Sequence, residues 1–178
     1  MAPNPKILKN TIMTTLVVKL AIFIDTELWI FAQKAPNPSE APNDSDYKRA
    51  LQLHKLSSDF IKQKISQNEI SMTYHQLCEI YHVLGFRGMR LPKEFVQEYC
   101  FKLLQAKFMR WYQISPENLQ QAINLSNRSN IHIWDFLCVL PLYEDVNVIY
   151  TCDEHFKHPS FQSLGPPIKN PLNEWLVL

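Results

Sequence analysis

The sequence predicts an α/β domain, a three-layer α/β/α sandwich on a mainly parallel central sheet. Three observations carry that expectation. The runs Thr15–Ile24 (TLVVKLAIFI) and Val146–Tyr150 (VNVIY) are largely apolar and β-branched without regular polar alternation, as suits strands covered on both faces. Strand-like and helical stretches alternate almost throughout, which implies crossover connections and helices on both faces of one sheet. Each run leads to an acid just past its end, Asp25 directly after Ile24 and Asp153 after Thr151 and Cys152. The carboxyl ends of parallel strands are where open α/β sheets place their ligands.

Composition bounds the rest. The chain has 178 residues, 46% of them hydrophobic, enough for one domain with a sizeable core. Residues 1–13, with their Asn and Pro, read as a loose extension in which Met13 is an alternative start, and 14–178 as a single domain. A net charge of +1 announces neither nucleic acid nor a membrane surface. Cys78, Cys100, Cys138 and Cys152 form no CxxC pair and have no regular spacing. That argues for reduced, mostly buried thiols in a cytoplasmic protein, against disulfides or a zinc site. Neither GxGxxG nor GxxxxGK[ST] occurs, which disfavours a glycine-cradled nucleotide. The apolar stretch Thr11–Phe31 is broken by Lys19, Asp25 and Glu27, short of the roughly 18 residues a membrane span needs. Lys6 and Lys9 imitate a signal peptide, but Lys19 interrupts the apolar region and no small-residue cleavage site follows.

Taken in order, Thr15–Ile24 is the expected first and central strand, with Asp25 either capping the next helix or facing a ligand. Gln33–Ser45, rich in Pro and Asn, reads as a loop, and Asp46–Gln67 as a helix with apolar residues near helical spacing. A short strand near Ile70 precedes a helix over Ser71–Leu84, with Thr73 and Gln76 at capping-box spacing and a stripe of Leu77, Ile80, Tyr81 and Leu84. Glu79 stands beside that stripe. The helix is expected to end at Gly85, and Pro92 to open another that reaches Phe108. Arg87, Arg90 and Lys93 belong to the one clearly basic region, a solvated face or a phosphate-contacting rim. Trp111–Ile114 is a candidate strand. Ser115-Pro116 starts a helix to about Arg128, and Trp134-Asp135-Phe136 opens one that Pro141 must end or kink. Asp135 at its start favours the helix dipole, so capping is its plain alternative. Ile168–Leu172 reads as a last edge strand.

Asp25-Thr26 after a strand, Glu79 in SMTYHQLCEIYHVL, Asp135 in IHIWDFL, Thr151-Cys152-Asp153-Glu154-His155-Phe156 after a strand and the closing IKNPL occur in an order that resembles the PIN-domain ribonucleases. Within that family the chain is most similar to the VapC toxins of toxin–antitoxin pairs. The likeness spans roughly Leu16 to Leu172. It implies a metal-dependent endoribonuclease in which Asp25, Glu79, Asp135 and Asp153 hold Mg²⁺ or Mn²⁺ at the catalytic centre. Thr26 and Thr151 would orient those ligands or their waters, and His155 would contact a phosphate or hold the loop. Arg87, Arg90 and Lys93, read as a phosphate-contacting rim, would meet RNA. It also implies a small antitoxin partner and a homodimer. Many members carry another Asp where this chain has His155.

The residue types suit that chemistry. Clustered carboxylates are hard oxygen donors for Mg²⁺ or Mn²⁺, and a bound cation removes the cost of crowding like charges. Two other function classes remain open at this stage. One is a PIN-like scaffold that binds RNA or protein without catalysis. The other is an unrelated phosphatase or nucleotide-binding domain, against which the missing glycine loop and DxDx[TV] motif count.

Overall fold

Parallel pairing of the strand that ends at Ile24 with the strand that ends at Tyr150 brings the carboxyl ends of both, and the acids that follow them, to one edge of the sheet. The computed structural model describes residues 19–39 and 41–177. The expected N-terminal extension and the first residues of the expected first strand, 15–18, lie outside the described residues.

Strand β1 (Ala21–Ile24) is buried at every position. It is followed by α1 (Thr26–Gln33), α2 (Asp44–Gln67), β2 (Glu69–Thr73), α3 (Tyr74–Phe86) and α4 (Lys93–Gln105). Then come β3 (Met109–Tyr112), α5 (Pro116–Ser129), α6 (Ile133–Val139) and β4 (Val148–Tyr150). A 3-10 turn (Tyr143–Asp145) precedes β4, and a second 3-10 turn (Glu154–Lys157), α7 (Pro159–Gln162) and β5 (Ile168–Lys169) complete the described elements. The strands run in the order β3-β2-β1-β4-β5, and all four pairings are parallel.

Residue alternation along the strands divides the core in two. Ile22, Ile24, Ile70 and Met72 pack with Leu28 and Trp29 of α1, Ile61 of α2, Leu77 and Ile80 of α3 and Val96 of α4. Phe23 and Ile149 turn to the opposite face, against Ala122 of α5, Phe136 and Val139 of α6, Phe156 and Phe161. Helices therefore cover both faces, and the fold is the expected three-layer α/β/α sandwich. From β1 the chain crosses to β2 on one side, and β4 pairs on the other (Ile22 with Ile70, Ile22 with Val148). The gap between β1 and β4 is thus a topological switch point, whose carboxyl side forms a crevice in such sheets.

Several local expectations need correction. Ser71, Met72 and Thr73 belong to β2, not to the following helix, because they pair with Arg110, Trp111 and Tyr112 of β3. Thr73 does cap α3, accepting from Gln76 N–H. The reciprocal half of the box is absent, since Gln76 Nε2 donates instead to Ile24 O at 2.8 Å. Tyr81 lies off the buried stripe of α3, at 40% exposure. Gly85 does not end α3, which continues to Phe86. The turn falls at Gly88, whose φ of +55° favours a residue without Cβ. Pro92 stands at the cap of α4, which stops at Gln105 rather than Phe108. Strand β3 begins two residues before the expected Trp111. Ser115 and Asn118 complete a capping box on α5. Among the described residues no helix is long and apolar enough to cross a membrane.

Candidate functional site

Asp25 leaves β1 and opens α1. Its backbone N–H still donates to Tyr150 O of β4 at 2.9 Å, so the residue is pinned at the switch point. Oδ1 accepts from the Thr26 N–H at 2.8 Å, and Oδ2 accepts from the Thr151 hydroxyl at 2.6 Å. The capping and site readings of Asp25 therefore coexist in one side chain. Thr151 is fully buried and also accepts from the Asp153 N–H at 2.9 Å, so one hydroxyl connects the two strand ends. The carbonyl of Ile24, beyond the last β1–β2 register pair, receives Gln76 Nε2 and Trp29 Nε1 at 2.8 and 3.0 Å. These bonds tie the β1 terminus to α1 and α3.

Asp153 is held by a second device. Leu176 N–H donates to Cys152 O, and Glu154 N–H donates to Leu176 O. The C-terminal segment thus lies beside Asp153 like an added strand. Asp153 Oδ1 accepts from the His155 N–H at 2.9 Å and caps the 3-10 turn. That turn brings His155 Nδ1 to 3.3 Å from Asp153 Oδ2 and 3.4 Å from Asp135 Oδ2. Asp135 sits in the first turn of α6, and its Oδ2 is buried without a hydrogen-bond partner. On the other wall Glu79, from α3, accepts from the Thr26 hydroxyl at 2.7 Å, and the Cys138 thiol donates to the same oxygen at 3.7 Å.

A cleft of about 590 Å³ opens here, lined by Glu27, Glu79, Asp135, Asp153, His155 and neighbours. One rim carries His82 and Arg87, the other His132 and Trp134. Trp134 is stacked on His75, with centroids 4.8 Å apart.

The electrostatics are those of acids crowded away from water. Burial, opposed by the Thr151 hydrogen bond and reinforced by Asp135, Glu27 and Asp153, holds Asp25 well above the usual carboxylate range. Burial, then the Glu79, Asp153 and Asp135 charges, pushes Glu27 up to about 7, with Lys34 opposing. Asp135 is pushed up to about 7 by burial and then Asp153, with His155 opposing. Burial and the same acids raise the Cys138 thiol.

The four expected carboxylates thus stand at the carboxyl edge of the sheet, on helices and strand ends from both faces, but not in one compact cluster. Asp135 and Asp153, with His155, bring ligand atoms within 4.8 Å of one another. Glu79 lines the cleft wall, whereas Asp25 is buried and is not among the lining residues. Thr26 and Thr151 do hold carboxylates, those of Glu79 and Asp25. Of the three basic residues expected at the rim, only Arg87 lines the cleft. Arg90 is exposed elsewhere, and Lys93 Nζ lies over the Phe86 ring. Sequence reasoning missed Glu27 and Cys138. Glu27 carried a signal, an acid two residues after Asp25 in the same first turn, but first-turn acids are ordinary on any helix.

No family model matches the chain, and no curated protein matches it. Among solved structures it is similar to a chain of the crystal structure of VapBC2 from Rickettsia felis bound to a DNA fragment from their promoter. The identity is 12% over 85% of this chain and 98% of that chain, with a TM-score of 0.50. At that identity the likeness is one of fold.

Proposed function

We propose that this chain is a PIN-type, metal-dependent endoribonuclease and the toxin of a toxin–antitoxin pair. The observation that carries the reading is the crowding of Asp135, Asp153, Glu79 and Glu27 around one cleft at the switch point of a parallel sheet, with Asp25 buried against them. The fold shared with the VapBC2 chain supports it. The donor set fits Mg²⁺ or Mn²⁺: the acids are hard oxygen ligands, and the orphaned Asp135 Oδ2 lacks the partner a cation would provide. Asp25, Glu79, Asp135 and Asp153 would hold the metal, directly or through water. When bound, such an ion stabilises charge on the phosphate and makes its water a better nucleophile.

The chain's own residues do the positioning. Thr151 fixes the Asp25 carboxylate, and the paired C-terminal segment fixes the backbone of Asp153. Thr26 aims Glu79 across the cleft. Glu27 lines the same cleft as Glu79, Asp135 and Asp153, where its carboxylate can accept a proton from an attacking water. Arg87 at the mouth offers a charge to an RNA phosphate.

For an antitoxin or a second protomer, the support is apolar surface. Phe95, Phe101 and Leu104 of α4 are exposed, as are Tyr81 and Phe86 of α3. Of the four tryptophans, Trp134 is exposed, whereas Trp29 is buried in the core and Trp175 lies under Lys157 Nζ.

The test is Asp153→Asn. Asn keeps the volume and the Oδ1 that caps the turn, but loses the charge a hard divalent cation requires. Cleavage of single-stranded RNA with added Mg²⁺ or Mn²⁺ should vanish while circular dichroism stays native. Full metal-dependent cleavage by the folded variant overturns the assignment.

A further inference from the structure

We infer that His155 is a direct nitrogen ligand of this centre and that it shifts the cation preference from Mg²⁺ toward Mn²⁺. The inference rests on the reading of the cleft as a divalent-metal site, and goes beyond it by naming a ligand and a class of ion.

Three observations carry it. First, a single atom, Nδ1, faces both acids, at 3.3 Å from Asp153 Oδ2 and 3.4 Å from Asp135 Oδ2. Those separations are long for hydrogen bonds, which in proteins cluster near 2.7–3.2 Å. They are close to the spacing of neighbouring donor atoms around one small cation: with metal–ligand bonds of about 2.1 Å, adjacent ligands stand roughly 3.0–3.4 Å apart. Second, Asp135 Oδ2 is buried and has no hydrogen-bond partner, so the ring beside it does not satisfy it as a donor would. Third, the ring is not free to wander. The Asp153 side chain caps the turn that carries His155, and the backbone N–H of His155 is the donor. The residue that supplies one carboxylate therefore also sets the approach of the imidazole.

Ligand chemistry gives the consequence. Mg²⁺ takes oxygen donors almost exclusively and holds its waters tightly. Imidazole suits the transition ions, whose affinity for a mixed nitrogen and oxygen set rises along the first row. A site of two carboxylates and one imidazole should therefore favour Mn²⁺ over Mg²⁺, and an all-carboxylate version of the same site should lose much of that preference.

The experiment uses the full chain, freed of metal with EDTA and dialysed. Mn²⁺ and Mg²⁺ affinities are measured by calorimetry for wild type and His155→Asp. The Mn²⁺-loaded proteins are examined by pulsed electron paramagnetic resonance for coupling to a ligand ¹⁴N. Wild type should show that coupling. His155→Asp should lose it, and its Mn²⁺-to-Mg²⁺ affinity ratio should fall at least about tenfold, the lower end of what disturbing a metal's ligand environment costs. His155→Ala, a second variant, should also lose the coupling. Absence of nitrogen coupling in wild type, its persistence in both variants, an unchanged ratio, or no binding of either ion each overturns the inference. Nitrogen coupling in a protein that cleaves no RNA supports the ligand assignment while removing the nuclease reading. Metal-dependent cleavage without nitrogen coupling does the reverse, leaving His155 a neighbour of the two acids and not a ligand.

Discussion

Replacing Thr151 with Val tests the hinge of the whole site, because one hydroxyl serves two buried partners. It donates to Asp25 Oδ2 at 2.6 Å and accepts from the Asp153 N–H at 2.9 Å. Val keeps the β-branched shape that suits the end of a strand, so the perturbation is confined to the hydroxyl. Asp25 would lose a buried hydrogen bond, about 0.5–1.5 kcal/mol, and the Asp153 N–H would be left unpaired, about 1–3 kcal/mol. Unfolding free energy should fall by about 1.5–4.5 kcal/mol. Urea denaturation in EDTA, followed by circular dichroism, would show this as a midpoint lower by roughly 0.8–2.2 M for a slope near 2 kcal/mol/M. Thr151→Ser keeps the hydroxyl and should stay within about 1 kcal/mol of wild type, the cost of one methyl group. If Val and Ser variants prove equally stable, the hydroxyl does not join the two strand ends and the reasoning fails.

Two further outcomes follow from the same geometry. Glu27 and Asp135 have pKa values raised from 4.5 and 3.8 to about 7, so between pH ~4 and ~7 the folded state binds more protons than the unfolded state. Metal-free stability should therefore fall as pH rises through that window, and added Mn²⁺ should raise the thermal midpoint more at pH 8 than at pH 5; greater stability at pH 8 than at pH 5 in EDTA would contradict the crowding argument. Arg87→Ala should weaken single-stranded RNA binding in EDTA and reduce the slope of log affinity against log salt by up to about one, whereas Lys93→Ala, away from the cleft, should leave both unchanged in a fluorescence anisotropy titration.

What could be read in advance follows the range of the signal. Asp25 and Asp153 were legible because each stands within three residues of the end of a buried strand run, and their placement depends only on where the strand stops. The caps at Thr73 and Ser115 were legible for the same reason, as each is decided within four residues. Ser71 to Thr73 were not, because their extended conformation comes from pairing with β3, some forty residues later in the chain by the register Ser71 to Arg110. Gln76 looked like half of a capping box, yet its amide goes to Ile24 O, a partner 52 residues away that no local pattern reveals. Glu27 looked like an ordinary first-turn acid, and only the packing of α1 against α3 turns it toward Glu79. The basic residues are not gathered at one place because their run spans the end of α3 and the start of α4: Arg87 lines the cleft, whereas Lys93 Nζ lies over the Phe86 ring. The approach of His155 to two carboxylates depends on the tight turn after Asp153, a geometry that residue spacing does not encode.

The central claim, hydrolysis of RNA at a metal-bearing acidic cleft, is tested most directly by the chemistry of the cut ends. Purified protein is incubated with end-labelled single-stranded RNA and Mn²⁺, and the products are analysed for their terminal groups. Attack by water in line with the leaving oxygen predicts linear ends, one phosphate and one hydroxyl at each cut, with cleavage abolished by EDTA. Ends carrying a 2′,3′-cyclic phosphate, or cleavage that persists in EDTA, would contradict the account, since the attacking group would then be the RNA's own hydroxyl rather than a water held among these carboxylates.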